Sequence, residues 1–263
     1  MKNLTDRDYL LQRQYGDASN LQARIALHQR FSTNPQGLPR WFMQQLQIPE
    51  NGRLLEVGCG PGGYWPQVAK MVPSSWQITV SDFSPGMVAQ ARQRLAALHR
   101  PFTVVQADVQ HLPFPDGVFD AVTGNFMLYH VPDRPRALAE IHRVLATGGR
   151  LFAMTNGNRH MREFNDLVGR VVPGTTRHGE TGFSLENGSA QLTPWFDDLR
   201  LLRYSDTLRV NDPEPLLAYI RSYAAGLTAD QEEALRQQIQ VELDAHGVFQ
   251  ITKDPGMITG VKR

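Results

Sequence analysis

One cysteine, Cys59, stands in 263 residues, so no disulfide can form within the chain. A lone thiol suits a reducing compartment. No apolar run approaches the ~18 residues that a membrane-crossing helix needs, and the N-terminus is polar and charged, unlike a secretory leader. The expected location is the cytoplasm, with no membrane partner. Neither sign of charge dominates: 27 Lys and Arg face 26 Asp and Glu, a net charge of +1 with no long basic run, so nothing in the charge pattern supports nucleic acid as a partner. Histidines, cysteine and carboxylates nowhere gather at metal-ligand spacing, so no metal is expected. Internal repeats and low-complexity segments are lacking too. The composition, 41% hydrophobic and 20% charged, is that of a globular chain long enough for one large α/β domain with additions.

What the chain does have is the stretch Leu54-Leu55-Glu56-Val57-Gly58-Cys59-Gly60-Pro61-Gly62-Gly63. Apolar residues around one carboxylate predict a buried strand over 53–57. The glycines predict a tight turn, because only glycine takes positive φ freely and brings bare backbone against a ligand. Pro66 is tolerated in a first helical turn, so a helix to about residue 72 follows. Strand, glycine turn and helix form the ligand mouth of a doubly wound α/β fold. Cys59 reads better as a small residue packed in that turn than as a nucleophile.

Further strands are predicted at 77–81, 102–107, 119–124 and 150–155. Helices separate them, which implies a mostly parallel sheet. Ser84 and Pro85 open the helix running over 87–98. Another helix starts after Asp133, carries Leu138, Ile141 and Leu145 on one face and stops at Gly148-Gly149. Before the core repeat come helices over 5–15 and 19–31, a turn at 32–37 and an aromatic helical piece around Trp41; they cover either the ligand cleft or the hydrophobic core. After it come a helix over 160–172, a polar loop at 177–182 and a sixth strand at about 200–207. Residues 213–246 read as helical and interrupt a hairpin closed by 249–252 and 257–261. The expected organisation is a helical N-terminal cap over 1–48 and a core domain over 49–263, with a helical lid insertion at about 211–246.

Gly58, Gly60 and Gly63 satisfy G-x-G-x-x-G, so a dinucleotide is possible on spacing alone. Glu56 argues otherwise, since a carboxylate there serves a pyrophosphate poorly and a cation well. Pro61 removes a backbone donor from the same turn. An acidic residue followed by G-x-G-x-G, here Glu56, Gly58, Gly60 and Gly62, resembles the first motif of the class I S-adenosylmethionine-dependent methyltransferases. The resemblance covers roughly residues 50 to 155. Leu112-Pro113-Phe114-Pro115 and Phe119-Asp120-Ala121-Val122 also match the family's usual run, whereas Ala146-Thr147 stands where many members have Lys-Pro.

The resemblance implies a Rossmann-like seven-stranded sheet with an antiparallel seventh strand, S-adenosylmethionine as cofactor and a small molecule as methyl acceptor. Asp82 is expected on the ribose hydroxyls, and Asp108 with Val109 on the adenine amine. Phe83 and Met87 are expected against the adenine faces, although Met87 reads equally well as core. The loop from Asn125 through Phe126 and Tyr129 to His130 is expected near the methionine moiety and the acceptor. His130 is the candidate base by position and near-neutral reference pKa; His28, His160 and His178 are weaker candidates. Tyr15, Phe31, Trp41 and Tyr64 are candidates for cation–π contact with a sulfonium. Trp41, Tyr219 and Tyr223 are expected over the acceptor. Two other readings stay open: a nicotinamide-dependent oxidoreductase, and a non-catalytic cofactor-binding regulatory module.

Overall fold

A computed structural model describes residues 5–6, 19–173, 182–222, 224 and 226–263. Two helices come first, α1 (Ser19–Phe31) and α2 (Leu38–Gln45). The central run is β1 (Arg53–Val57), α3 (Trp65–Val68), β2 (Gln77–Asp82), α4 (Pro85–Ala96), β3 (Phe102–Gln106), β4 (Phe119–Asn125), α5 (Arg134–Val144) and β5 (Leu145–Asn156). It continues through α6 (Arg162–Val171) and α7 (Gly188–Leu192) to β6 (Phe196–Arg203). Then follow β7 (Asp206–Val210), α8 (Pro213–Arg221), α9 (Ala229–His246), β8 (Phe249–Lys253) and β9 (Pro255–Lys262). The expected helix over 5–15 and most of the 177–182 loop lie outside the described residues.

Seven strands form one sheet in the order β3-β2-β1-β4-β5-β9-β6. Every central pairing is parallel, and β9 runs antiparallel to both β5 and β6. This is the expected doubly wound sheet with its antiparallel seventh strand. The strand order reverses at β1, which pairs with β2 on one side and β4 on the other, and the crevice at the carboxyl ends there is where such sheets bind ligands. Short polar caps fix the helices that flank it. The Ser84 hydroxyl accepts from the Met87 amide at 3.3 Å and starts α4. The Asp133 carboxylate accepts from the Arg136 amide at 3.1 Å and starts α5. Two apolar layers cover the sheet, one built around Leu138, Ile141 and Phe196, the other around Trp65, Val80 and Leu95.

A third apolar cluster lies apart from these. Leu27 of α1, Phe164 and Val168 of α6, Leu208 of β7, Leu216 and Ile220 of α8, Leu235 of α9 and Ile251 of β8 pack together. The N-terminal helix and the insertion between β6 and β9 are therefore one packed layer.

Four expectations are corrected here. The strand over 200–207 divides: β6 ends at Arg203 and β7 pairs with β8 in a separate two-stranded sheet. Leu208 and Val210 on β7 face the third cluster, so their burial draws the chain off the main sheet. The segment 249–252 belongs to that small sheet, and β9 alone closes the large one. The helical stretch over 213–246 is two helices, because α8 ends at Arg221, Gly226 takes φ 86° and Thr228 begins α9 with a reciprocal Thr228–Gln231 capping box. Finally, α5 stops at Val144, well before the paired glycines. Leu145 turns to extended backbone and opens β5, and Gly148 sits at φ 76° inside that strand's span.

Candidate functional site

The glycine turn leaves β1 with φ of 66°, 54° and 70° at Gly58, Gly60 and Gly62. Gly58 is tied to glycine twice over, since a Cβ there would lie 2.8 Å from the Met127 side chain. The Cys59 amide donates to Ser81 O at 2.9 Å and pins the turn to β2. Its thiol is buried and pushed well up by burial, so it is no ready nucleophile.

Two buried carboxylates flank this turn. Glu56, 2% exposed, accepts from the Trp65 indole N–H at 2.6 Å and from the Asn125 side-chain amide at 2.9 Å. Burial pushes its pKa up to about 7, the two hydrogen bonds oppose that, and Asp82 adds to it. Asp82 accepts from the Gly60 amide at 2.9 Å through one oxygen and from the Ser84 amide at 2.9 Å through the other. Burial raises its pKa as well, against those backbone bonds. A third carboxylate, Asp108, follows β3 and accepts from the Gln110 backbone amide at 3.0 Å and its side-chain amide at 3.1 Å.

After β4 the chain turns through Phe126, whose φ of 57° is unusual for a residue with a side chain. The Phe126 amide donates to Met154 O at 3.0 Å, which holds that conformation. The turn places Phe126, Met127, Tyr129 and His130 along one wall of a cavity of about 950 Å³. The rings of Tyr129 and His130 lie 4.5 Å apart.

Glu56, Gly58, Gly60, Asp82, Phe83, Met87, Asp108, Val109 and Asn125 all line the same cavity. Gly62 does not; it packs beneath, where a Cβ would meet Leu95 at 3.3 Å. Met87 is both core and wall, at 1% exposed. Tyr219 and Tyr64 also reach the cavity. Trp41 is a correction: its ring lies 5.4 Å from that of Tyr204, tilted by 55°, and packs on the sheet's apolar layer rather than lining the cavity. Phe31 is likewise buried in the third cluster. Tyr223, Tyr15 and His178 lie outside the described residues.

Sequence reasoning missed the far end of the cavity as a unit. His28 and His160 have ring centroids 5.7 Å apart, and Lys253 and Asn156 line the same cavity. They come from α1, from the chain after β5, from β8 and from the end of β5, and no periodicity links them. Asn156 was findable, because it ends a parallel strand on the ligand side of the sheet.

The residues present fit a cationic nucleoside ligand. Gly58, Gly60 and Gly63 bring bare backbone to the cavity. Two buried carboxylates with raised affinity for protons await positive charge or hydroxyl donors. The buried Asn125 Oδ1 has no hydrogen-bond partner and accepts one more donor. A volume of about 950 Å³ lies at the upper end for small-molecule sites and leaves room for two ligands side by side. Among the described residues no group of three or more His, Cys, Asp or Glu could hold a metal ion, and no helix is long and apolar enough to cross a membrane.

Comparison with known proteins gives this geometry its class. Residues 55–153 match a family profile described as a methyltransferase domain. Demethylmenaquinone methyltransferase of Staphylococcus epidermidis is 36% identical over 125 residues, 48% of this chain and 52% of that protein. A ubiquinone/menaquinone biosynthesis C-methyltransferase of Geobacter sulfurreducens is 35% identical over 136 residues, 49% of this chain and 52% of that one. The chain thus spans about half the length of the curated relatives it matches. Among solved structures, Haemonchus contortus phosphoethanolamine N-methyltransferase 2, in complex with phosphomonomethylethanolamine and S-adenosylhomocysteine, superposes with a TM-score of 0.61 at 20% identity. That match covers 97% of this chain and 59% of the other. The fold is the Rossmann-like methyltransferase fold. Residues 55–153 are similar to a methyltransferase domain.

Proposed function

We propose that this protein transfers a methyl group from S-adenosylmethionine to a small-molecule acceptor, in the cytoplasm. The observation that carries it is the pairing of Glu56 and Asp82, both buried, around a three-glycine turn on the matched domain. A nicotinamide enzyme would need donors for a pyrophosphate here, and two carboxylates repel one. The cofactor supplies an electrophilic methyl carbon on a sulfonium, whose departure leaves a neutral thioether.

The chain's own contribution is position and exclusion of water. Asp82 takes the ribose hydroxyls, Asp108 and Val109 hold the adenine edge, and Phe83 with Met87 packs on its faces. Glu56, oriented by Trp65 and Asn125, favours the cationic end. Phe126, Tyr129 and His130 form the wall where methyl group and acceptor meet. The layer built from α1 and the β6–β9 insertion closes the acceptor half, with Tyr219 in its surface.

The relatives' names do not pass their acceptors to this chain. The family profile ends at residue 153, and the acceptor half is built from α1, residues 156–165, α8 and β8. Calorimetry with S-adenosylmethionine, followed by an acceptor-library screen for S-adenosylhomocysteine release, tests the reading. Micromolar binding, about 8 kcal/mol, and acceptor-dependent release are expected. His130→Ala should then lower kcat about tenfold or more with cofactor affinity unchanged. Tight NADH binding with no response to S-adenosylhomocysteine would sink it.

A further inference from the structure

The carboxylate after β3 is held by more than its own turn. The His111 amide donates to Asp108 O at 2.9 Å, and the Gln110 backbone amide donates to Asp108 Oδ1 at 3.0 Å. Those two bonds complete a tight turn over 108–111. The Gln110 side chain goes further. Its Nε2 donates to Asp108 Oδ1 at 3.1 Å and to Oδ2 at 3.2 Å, while its Oε1 accepts from the Asp133 amide at 3.0 Å. A backbone N–H can only donate, so the corner facing Asp133 is the oxygen and the corner facing Asp108 is the NH2 group. Gln110 is 7% exposed, and both it and Asp108 line the cavity.

Asp133 caps α5 and follows directly on the 126–132 loop. That loop carries Phe126, Tyr129 and His130, all on the cavity wall. Its first end is tied to β5 by the Phe126 amide on Met154 O, and its middle is closed by the His130 amide on Met127 O at 2.9 Å. Gln110 ties its last end. It does so twice, since Arg136 Nε on α5 also donates to Gln110 O at 3.1 Å. One side chain therefore joins the Asp108 carboxylate to the end of the loop, across 23 positions of sequence. The turn over 108–111 does not require that link. A buried carboxamide that lost either partner would leave a polar group unpaired, so Asp108 and the loop are positioned together.

We infer that Gln110 is a positioning residue for both halves of the cavity. It presents Asp108 as an acceptor to the exocyclic amine of the nucleobase, and it holds the loop of Phe126, Tyr129 and His130 in register with that base. The inference rests on the methyltransferase reading above. A carboxylate clamped through both oxygens does not have to be ordered when the base arrives. Carboxylate oxygens accept several donors at once, so the clamp and the amine can share them. The clamped carboxylate favours an amino group at that edge of the base. It disfavours an oxo group, which would turn a second acceptor toward it. The titratable and charged groups around the carboxamide are Asp108, Asp133, Arg136 and His111, the last in contact with Arg136.

The test is Gln110→Glu, which keeps the size. The introduced carboxylate still accepts from the Asp133 amide but repels Asp108. Acid protonates it, and its O–H then donates to Asp108 in place of Nε2. By calorimetry the variant should bind S-adenosylhomocysteine about tenfold more weakly than wild type at about pH 8, and within about threefold of it at about pH 5. Glu56 and His111 are present in both proteins, so the ratio at each pH isolates the substitution. Wild type should prefer S-adenosylhomocysteine to its hypoxanthine analogue. Gln110→Glu should lose that preference in base and recover it in acid, and Gln110→Leu should lose it at every pH. Hydrogen exchange reads the second half of the inference. Saturating S-adenosylhomocysteine should slow the amides of 128–133 in wild type, and in Gln110→Leu the slowing should persist at 58–63 and vanish at 128–133. If Gln110→Leu does not fold, Gln110→Glu decides, because lost packing would not recover in acid. Equal preference in wild type and variants, a Gln110→Glu deficit independent of pH, or equal slowing at 128–133 overturns the proposal. Failure of the wild-type protein to bind S-adenosylhomocysteine would instead overturn the methyltransferase reading itself.

Discussion

The indole N–H of Trp65 donates to Glu56 Oε2 across 2.6 Å, joining the first residue of α3 to the last carboxylate of β1 beneath the glycine turn. This bond and the one from Asn125 spend two of the carboxylate's acceptor positions on orientation. They do not replace the water lost on burial, and Glu56 remains a group that holds a proton up to about pH 7.

That gives a pH dependence with a definite sign. A carboxyl whose folded pKa lies above its ordinary 4.5 favours the folded state fully below that value, and the contribution is lost as pH rises to about 7. The loss amounts to about 3 kcal/mol at 1.36 kcal/mol per pH unit. Buried neutral His28 acts in the opposite direction over part of the same range, so the comparison must be differential. Chemical denaturation of wild type and Glu56→Gln should show the variant gaining relative stability by about 3 kcal/mol between pH 4.5 and 8. A cationic cofactor should bind the ionised form. Wild-type affinity for S-adenosylmethionine should therefore fall by up to about tenfold per unit below pH 7, and the variant's should be flat. A parallel pH profile in the two proteins would remove Glu56 from the cofactor site.

Asp82 has two roles that substitution separates. Asp82→Ala should weaken cofactor binding by roughly 1.5–3 kcal/mol through lost hydrogen bonds to a charged group. It should also lower thermal stability, because the Gly60 and Ser84 amides lose their acceptor. Wild type should discriminate S-adenosylhomocysteine from its 2′,3′-dideoxy analogue by calorimetry, and the variant should not. Equal discrimination in both would mean that Asp82 only shapes the turn.

Tyr219 sits in two places at once, in the third apolar cluster against Phe164 at 5.8 Å and on the cavity wall beside His28. Tyr219→Ala should cost roughly 3 kcal/mol of stability as a buried aromatic truncation. Tyr219→Phe keeps the packing. It should raise the acceptor's KM severalfold and leave S-adenosylmethionine affinity within about threefold, under 1 kcal/mol. An unchanged acceptor KM in Tyr219→Phe would confine the tyrosine's hydroxyl to a structural role.

By itself the sequence located the glycine-turn end of the cavity. Glu56, the glycines, Asp82 and Asp108 lie at the ends of successive strands, so local patterning sufficed: a buried strand, a residue that needs positive φ, a carboxylate before a capped helix. The strand-by-strand layout through β5 followed from the same short-range rules. The capping box at Thr228 marks the break between α8 and α9. Tertiary structure alone decided the rest. Leu208 and Val210 read as the tail of one long strand until a separate apolar cluster buries them, and Trp41 reads as a lid residue until Tyr204 covers it. His28 and His160 lie far apart in sequence and meet only because α1 packs on the insertion. Long-range packing places such residues by burying apolar faces against each other, and no spacing along the chain encodes which faces meet.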